Sequence, residues 1–177
     1  MLSFASLSGL SNSQGGTLAR VLLTLKDYVM IVFDLDPTLI DSSHRAITRA
    51  DGSLCLDSWR ALSTRQYIMR DSLLPLAHVA RDLITDSHRV AFCTARVMGE
   101  ADHDFLVFHR LTPRLILSRP EGDHSSDGPL KVRLLREAGV LPSIFYDDNA
   151  QVREAIKRNF PGCVVACPLS YNQMMAA

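Results

Sequence analysis

A short apolar run that ends in two acids constrains the fold of this chain more than any other stretch. Residues 30–33 are apolar, Asp34 and Asp36 follow directly, and Thr38 comes two residues later. The run has the length and composition of a strand buried in a parallel sheet, and Pro37 stands just past its carboxyl end. Because ligands usually bind at the carboxyl ends of parallel strands, the two acids are predicted to lie at a binding edge.

Further apolar runs of strand length follow the first, and segments with helical patterns separate them. The alternation predicts an α/β fold, a three-layer αβα sandwich built on a parallel Rossmann-like sheet with helices on both faces. The four later strands are predicted at residues 89–93, 115–117, 143–146 and 163–167.

The segment between the first two strands is longer than a simple crossover needs. A helix is predicted from Asp57 to Arg70, and a second helix is predicted to start near Pro75, which suits a first turn. The second helix carries one apolar stripe and is therefore predicted to pack on the sheet. The earlier part, about residues 39–72, is interpreted as a small cap.

The two ends of the chain differ in composition from the predicted domain at residues 29–170. Residues 1–28 are interpreted as an extension that begins with a mobile Ser- and Gly-rich arm, and Met30 is an alternative natural start. Residues 171–177 are interpreted as a tail. No apolar run approaches the roughly 18 residues that a membrane span needs, so we expect a cytoplasmic protein without a membrane partner.

Composition excludes few classes of function. The 19 basic residues balance the 19 acidic ones, so the net charge does not indicate nucleic acid as a partner. The four cysteines have neither metal-site nor disulfide-scaffold spacing, and reduced thiols in a cytosolic protein are expected. The six histidines show no zinc pattern. The sequence does not indicate an oligomeric state.

Polar residues follow each of the first four predicted strands, and all of them are predicted to meet at one edge of the sheet. Several carboxylates at one place repel one another unless a cation neutralises them, and oxygen ligands alone suit Mg²⁺. A hydroxyl, a lysine and arginines around the metal would bind a tetrahedral dianion, as a phosphoryl-transfer site requires. These residues are Asp34, Asp36, Thr38, Thr94, Arg96, Asp127, Lys131, Asp147 and Asp148.

These motifs resemble those of the haloacid dehalogenase (HAD) superfamily, whose members are largely phosphohydrolases with an aspartate nucleophile. More narrowly, the chain is similar to the phosphatase domain of phage-type polynucleotide kinase/phosphatase and its free-standing relatives, over about residues 30–169. The narrower likeness rests on residues 43–45, 94–96, 119–123, 127–131 and 146–148. No kinase P-loop motif occurs.

The resemblance implies a Mg²⁺-dependent phosphatase with a covalent mechanism. Asp34 would be the nucleophile and Asp36 the proton carrier, and Lys131 and Arg96 would complete the catalytic group. The remaining implied roles are substrate binding by Thr38, Arg45, Thr94 and Asp127, with Arg45 and Arg96 as clamps, and Mg²⁺ binding by Asp34, the Asp36 backbone carbonyl, Asp148 and Asp147. The implied substrate is a phosphorylated nucleotide or a nucleic-acid end.

Several alternatives stay open at this level. The substrate could be a small non-nucleotide metabolite, or the fold could serve as a binding module without catalysis. Asp127 could simply cap a helix, and Arg45 could be a surface residue. The chain also departs from the family pattern at Pro37, Ala95 and Asn149, and Pro37 could alter how the loop presents the Asp36 carbonyl to the metal.

Overall fold

A computed structural model describes residues 29–176, so the predicted N-terminal extension lies outside the described residues. Seven strands and seven α-helices are described in this range. The strands are β1 Val29–Phe33, β2 Ile40–Asp41, β3 Ser72–Leu73, β4 Val90–Thr94, β5 Leu115–Ser118, β6 Leu141–Tyr146 and β7 Val164–Ala166. The helices are α1 Leu56–Leu62, α2 Arg65–Ile68, α3 Pro75–Thr85, α4 Glu100–Phe108, α5 Asp127–Glu137, α6 Ala150–Asn159 and α7 Leu169–Ala176, with a 3₁₀ turn at Ser43–Arg45.

Five of the strands form one parallel sheet in the order β5-β4-β1-β6-β7. Strand β1 lies at the centre, where Ile31 pairs with Val90 of β4 and with Ile144 of β6. All five strands of this sheet were predicted, and the parallel α/β fold is confirmed. The central position explains why β1 reads as a continuous apolar run, because both of its faces are covered.

Two apolar clusters cover the two faces of the sheet. Neighbouring residues of β1 point to opposite faces, so Val32 belongs to one cluster and Phe33 to the other. The Val32 cluster contains buried residues of α5 and α6, and the Phe33 cluster contains residues of α3 and α4. The predicted three-layer sandwich is therefore confirmed.

The segment interpreted as a cap begins and ends in a two-stranded antiparallel sheet, in which Ile40 pairs with Leu73. The single helix predicted from Asp57 to Arg70 is wrong, because the structure has α1 and α2 with a break between them. Ser63 leaves the helical conformation there, and its hydroxyl bonds the backbone oxygen of Trp59 at 2.7 Å. Such local side-chain bonds to the backbone compete with helix continuation.

The segment interpreted as a C-terminal tail is helical instead, up to Ala176. Helix α7 packs on α3, and the buried side chain of Asn172 accepts a hydrogen bond from the backbone N–H of Leu76 at 2.9 Å. The same amide donates to the backbone oxygen of Thr38 at 3.0 Å. Asn172 therefore satisfies the first turn of α3 and the loop after β1 together.

Two expectations from composition can be compared with the structure of residues 29–176. The cysteines at positions 55, 93, 163 and 167 are all free thiols, as expected. Within this range, no helix has both the length and the apolar content that crossing a membrane requires.

Candidate active site

The centre of the site is a buried lysine that joins two strand ends. Lys131 Nζ lies 2.6 Å from Asp34 Oδ1 and 2.7 Å from Asp147 Oδ2. Asp34 follows β1 and Asp147 follows the neighbouring strand β6, while Lys131 projects from the first turns of α5. The predicted convergence of these three residues therefore occurs, and all three side chains are almost fully buried.

Close packing of two helices brings Lys131 to this position. A Cβ atom at Gly128 of α5 would lie only 3.1 Å from the Cβ of Ala155 on α6, which is closer than ordinary packing allows. Glycine therefore lets α5 approach α6 and the sheet edge. Just past the other end of α5, Gly139 has a φ of 65°, a conformation typical of a residue that terminates a helix.

A third acid completes a cluster with three carboxylates. Asp34, Asp147 and Asp148 each offer an oxygen within 4.8 Å of the other two. Burial raises the pKa of Asp34 to about 7, and Asp147 adds to this effect while Lys131 opposes it. Burial, followed by repulsion from Asp147, also raises the pKa of Asp148. We call these three acids and Lys131 the active-site cluster.

The active-site cluster has fewer positive than negative groups. Burial by itself would lower the pKa of Lys131, but attraction to Asp34 and Asp147 outweighs burial and raises the pKa above its ordinary value. One ammonium thus faces three carboxylates. A set of hard oxygen donors with surplus negative charge fits a divalent cation such as Mg²⁺, with Asp34, Asp147 and Asp148 as the residues that would hold it.

Asp36, the other acid of the β1 loop, is held by an arginine outside the active-site cluster. Arg96 donates from Nε to Asp36 Oδ2 at 2.9 Å and from a terminal nitrogen to Asp36 Oδ1 at 2.5 Å. Asp102 binds the other terminal nitrogen, and Ser42 Oγ donates to Asp36 at 2.7 Å. Arg96 was predicted to clamp substrate, but its guanidinium is already engaged by acids and instead fixes the direction of Asp36.

Arg45 does not lie where the resemblance implied. It was predicted to bind substrate, yet its side chain is fully buried and does not line the cavity described below. Its guanidinium makes a bidentate pair with Asp71 at 2.9 and 2.8 Å and also donates to Ser63. An arginine buried this deeply needs a paired acid, and Asp71 supplies it. We call Arg45 and Asp71 the cap pair.

The two predicted threonines have different positions. Thr94 lines the cavity and accepts a hydrogen bond from the backbone N–H of Arg96 at 3.1 Å. Thr38 is fully buried and does not line the cavity, so its predicted contact with substrate is not supported. The tight turn after β1 explains this, because the backbone N–H of Thr38 bonds the oxygen of Leu35 and draws the residue under the loop.

Asp127 stands at the cavity rim as the first residue of α5. The N-cap residue is Ser126, and Asp127 makes no side-chain capping bond. Its carboxylate instead accepts a hydrogen bond from Arg119 at 2.7 Å. Arg119 also donates to the backbone oxygens of Ala95 and Ser125, so it ties the loop before α5 to the loop after β4.

One cavity of about 890 Å³ lies over these groups. Its charged floor includes Asp34, Asp36, Lys131, Asp147 and Asp148. Apolar residues form another part of its lining, and half of them come from the cap. The apolar residues are Ala46, Leu54, Leu56 and Trp59 of the cap and Pro37, Ala95, Val97 and Val152 outside it.

Sequence reasoning missed several residues of this site. Asp71 and Asp102 pair with the two arginines, and Trp59 stacks under Arg45 with 4.1 Å between the guanidinium carbon and the ring centroid. Arg153 donates to the backbone oxygens of Asp147 and Asp148. Of these residues, only Arg153 could have been inferred from the sequence. It lies about one helical turn after the paired acids, on a predicted helix that starts beside them.

Comparison with known proteins places the chain in a family. Residues 24–124 match the model for the bacteriophage T5 5'-deoxynucleotidase family. The chain belongs to this family. The matched range contains Asp34, Asp36 and Arg96, whereas Lys131 and the paired acids lie beyond its end. The 5'-deoxynucleotidase of Escherichia phage T5 is 35% identical over 81 residues, which are 44% of this chain and 33% of that protein. The match therefore spans about a third of the length of this curated relative.

Solved structures show the same fold at low sequence identity. A chain of the Pnkp1/Rnl/Hen1 RNA repair complex is 20% identical, with a TM-score of 0.57 over 78% of this chain and 42% of that one. A haloacid dehalogenase-like hydrolase of Streptococcus pneumoniae is 14% identical, with a TM-score of 0.53 over 84% of this chain and 99% of that one. A HAD-superfamily hydrolase of Geobacter sulfurreducens has a TM-score of 0.55 at 12% identity, over 78% of this chain and 86% of that one. The predicted HAD-like fold is confirmed.

Proposed function

We propose that this protein is a Mg²⁺-dependent phosphomonoester hydrolase that acts on 5'-deoxynucleotides through an aspartyl-phosphate intermediate. The observation that carries the proposal is Lys131, which bridges Asp34 and Asp147 at the carboxyl edge of the sheet with Asp148 beside them. A nucleophile, a fixed cation and a set of oxygen ligands thus meet at the floor of one cavity.

In the first step, an oxygen of Asp34 attacks phosphorus and forms the acyl phosphate. The bond from phosphorus to the ester oxygen breaks, and the leaving oxygen takes a proton from Asp36. Lys131 donates to the phosphoryl oxygens as negative charge develops on them. Thr94, which also lines the cavity, offers a hydroxyl to the same group.

In the second step, water attacks the phosphorus of the intermediate and releases phosphate, and Asp34 is regenerated. Asp36 takes the proton from that water, for which it must be a carboxylate. The bidentate contact with Arg96 keeps the Asp36 side chain at the cavity. Arg96 thus acts as a positioning residue in this proposal.

Asp34, Asp147 and Asp148 would hold the Mg²⁺ ion, and the Asp36 carbonyl is the further ligand that the resemblance implies. When bound, Mg²⁺ neutralises phosphoryl charge and allows a dianion to approach three carboxylates. The surplus negative charge of the active-site cluster supports this requirement. Removal of the metal is therefore expected to abolish turnover.

The substrate class rests on family membership and on the cavity. The phage T5 relative is named a 5'-deoxynucleotidase, and the cavity combines an ionic floor with an apolar part. A nucleotide has a phosphate that suits the ionic floor and a flat base that suits the apolar part. A phosphorylated nucleic-acid end shares this chemistry and is the second candidate, because one structural neighbour comes from an RNA repair complex.

The test is phosphate release from deoxynucleoside 5'-monophosphates by the purified full chain. We expect release with Mg²⁺, none with EDTA, and a fall in kcat of at least about 10⁴-fold in Asp34→Asn, because the nucleophile is lost. Asp82→Asn is the matched control, since Asp82 is an exposed acid on α3. Full activity of the Asp34→Asn variant would refute the mechanism.

A substrate panel separates the candidate functions. It compares 5'-deoxynucleotides, 3'-phosphorylated oligonucleotides and ribose 5-phosphate at two salt concentrations. Highest kcat/KM for mononucleotides with weak salt dependence would support the proposal. A preference for the oligonucleotide that falls steeply with salt would instead favour nucleic-acid ends. Tight phosphate binding without turnover would indicate a binding module.

A further inference from the structure

The apolar part of the cavity lining is not explained by the chemistry at its floor. Leu56 and Val97 line the cavity and remain 50% and 48% exposed, although they are large apolar residues. Trp59 and Leu54 lie on the same lining. A phosphate needs none of these side chains, so this surface fits an apolar group attached to the phosphate.

The indole of Trp59 is held in place from behind. The guanidinium carbon of Arg45 lies 4.1 Å from the ring centroid, within cation–π distance. Arg45 is itself fixed by Asp71, and it donates to Ser63, whose hydroxyl bonds the backbone oxygen of Trp59. The ring therefore lines the cavity from a rigid support.

The same ring lies near the groups that would transfer the proton. The guanidinium carbon of Arg96 is 5.7 Å from the Trp59 centroid, and Arg96 holds Asp36 at the cavity. A molecule whose phosphate lies on the floor can thus reach Trp59 with its other end. This gives the cap pair a role, because it fixes the aromatic surface that the substrate meets.

We propose that Trp59 is the stacking surface for the base of the substrate, and that Arg45 is a positioning residue that holds it. This inference rests on the proposed function, since it assumes that the phosphate belongs to a nucleotide. Stacking on a fixed aromatic ring stabilises any flat base, because every base has a π face. The cap would then select nucleotides over sugar phosphates.

A binding measurement tests the inference without turnover. Trp59 is the sole tryptophan of the chain, so its fluorescence reports this site directly. The Asp34→Asn protein is titrated with a deoxynucleoside 5'-monophosphate or with ribose 5-phosphate in the presence of Mg²⁺. We expect saturable quenching by the nucleotide and little change with the sugar phosphate. Equal changes with both ligands, or none with the nucleotide, would overturn the inference.

A kinetic measurement tests the same point by substitution. Trp59→Leu is expected to lower the ratio of kcat/KM for the nucleotide to kcat/KM for ribose 5-phosphate by roughly 10- to 100-fold, mainly through KM. Trp59→Phe should retain most of the ratio, because a ring remains. The matched control is Phe108→Leu, an exposed aromatic on α4 that does not line the cavity, and it should keep the wild-type ratio.

The two proposals fail in different ways. Nucleotide hydrolysis with an unchanged ratio in a folded Trp59→Leu protein would overturn the stacking role and leave the proposed function standing. Quenching of Trp59 fluorescence by the nucleotide, without hydrolysis by the wild-type protein, would overturn the proposed function and leave the stacking role standing. If Trp59→Leu does not fold, the fluorescence titration decides the question, because it uses a chain that keeps Trp59.

Discussion

Charged side chains are buried in two regions of this molecule, and their charges are balanced differently. In the cap pair, one guanidinium meets one carboxylate through two hydrogen bonds, and both side chains are fully buried. In the active-site cluster, one ammonium faces three carboxylates, and the pKa of Asp34 is raised to about 7. The first arrangement is complete in itself, whereas the second needs a further cation.

This difference separates a structural use of buried charge from a functional one. A balanced pair that does not line the cavity can only hold its neighbours in place. A cluster with surplus charge at the floor of a cavity gains free energy when a cation or a protonated group arrives. Substitutions in the two regions should therefore change different measured quantities.

The largest expected effect on stability comes from breaking the cap pair. Arg45→Met leaves Asp71 buried near Arg96 and His44 but without its bidentate partner, and should lower the free energy of unfolding by about 3–5 kcal/mol. Urea denaturation measures the loss. Asp57→Asn is the control, since it removes an exposed cap acid whose pair with Arg60 spans 4.0 Å, and should cost less than about 1 kcal/mol. Equal losses would contradict the assigned structural role.

The next effect concerns pH and distinguishes the active-site cluster from the cap pair. In EDTA, Asp34 stays protonated up to a pH of about 7 in the folded chain but ionises near 3.8 in the unfolded chain. Rising pH between these values therefore favours the unfolded state, and the free energy of unfolding should fall by up to about 4 kcal/mol. Denaturation across this range measures the fall. It should be absent in Asp34→Asn and smaller with Mg²⁺, and persistence in Asp34→Asn would exclude Asp34 as its source.

The substitution with the smallest expected effect on stability, Asp148→Asn, should raise stability but lower activity. Asp148→Asn removes a partly buried carboxylate that Asp147 repels, so the metal-free protein should become slightly more stable. The same change removes a proposed metal ligand and should lower kcat/KM by at least about 10²-fold. Thermal melts in EDTA and phosphate release check the two parts. A less stable metal-free variant would show that the cluster is balanced without a cation.

The sequence predicted the core of the molecule better than its cap, for a physical reason. Residues at the carboxyl ends of parallel strands share one edge of the sheet, so Asp34 and Asp147 could be placed together from strand positions, and Lys131 from the start of the helix that follows the third predicted strand. In the cap, the direction of Arg45 depends on Asp71, which is 26 residues away and has no pattern that links the two. Irregular segments carry no periodicity from which such a pairing can be inferred.

Two further differences between the predictions and the structure have other origins. Thr38 was expected in the site because it follows the acids by a fixed spacing, but the tight turn after β1 buries it. Residues 171–177 were interpreted as a tail, yet Asn172 buries an amide between two backbone partners. A local turn explains the first difference, whereas long-range hydrogen bonds explain the second.

The bond from Asn172 to Thr38 also has a consequence for synthesis of the chain. It joins residues 134 positions apart, and Thr38 belongs to the loop that carries Asp34 and Asp36. A growing polypeptide folds from its N-terminal part onward, so this loop leaves the ribosome long before its last partner does. The loop after β1 therefore waits for this hydrogen bond until residue 172 has been made. Nascent chains that stop before residue 172 lack this contact with the loop.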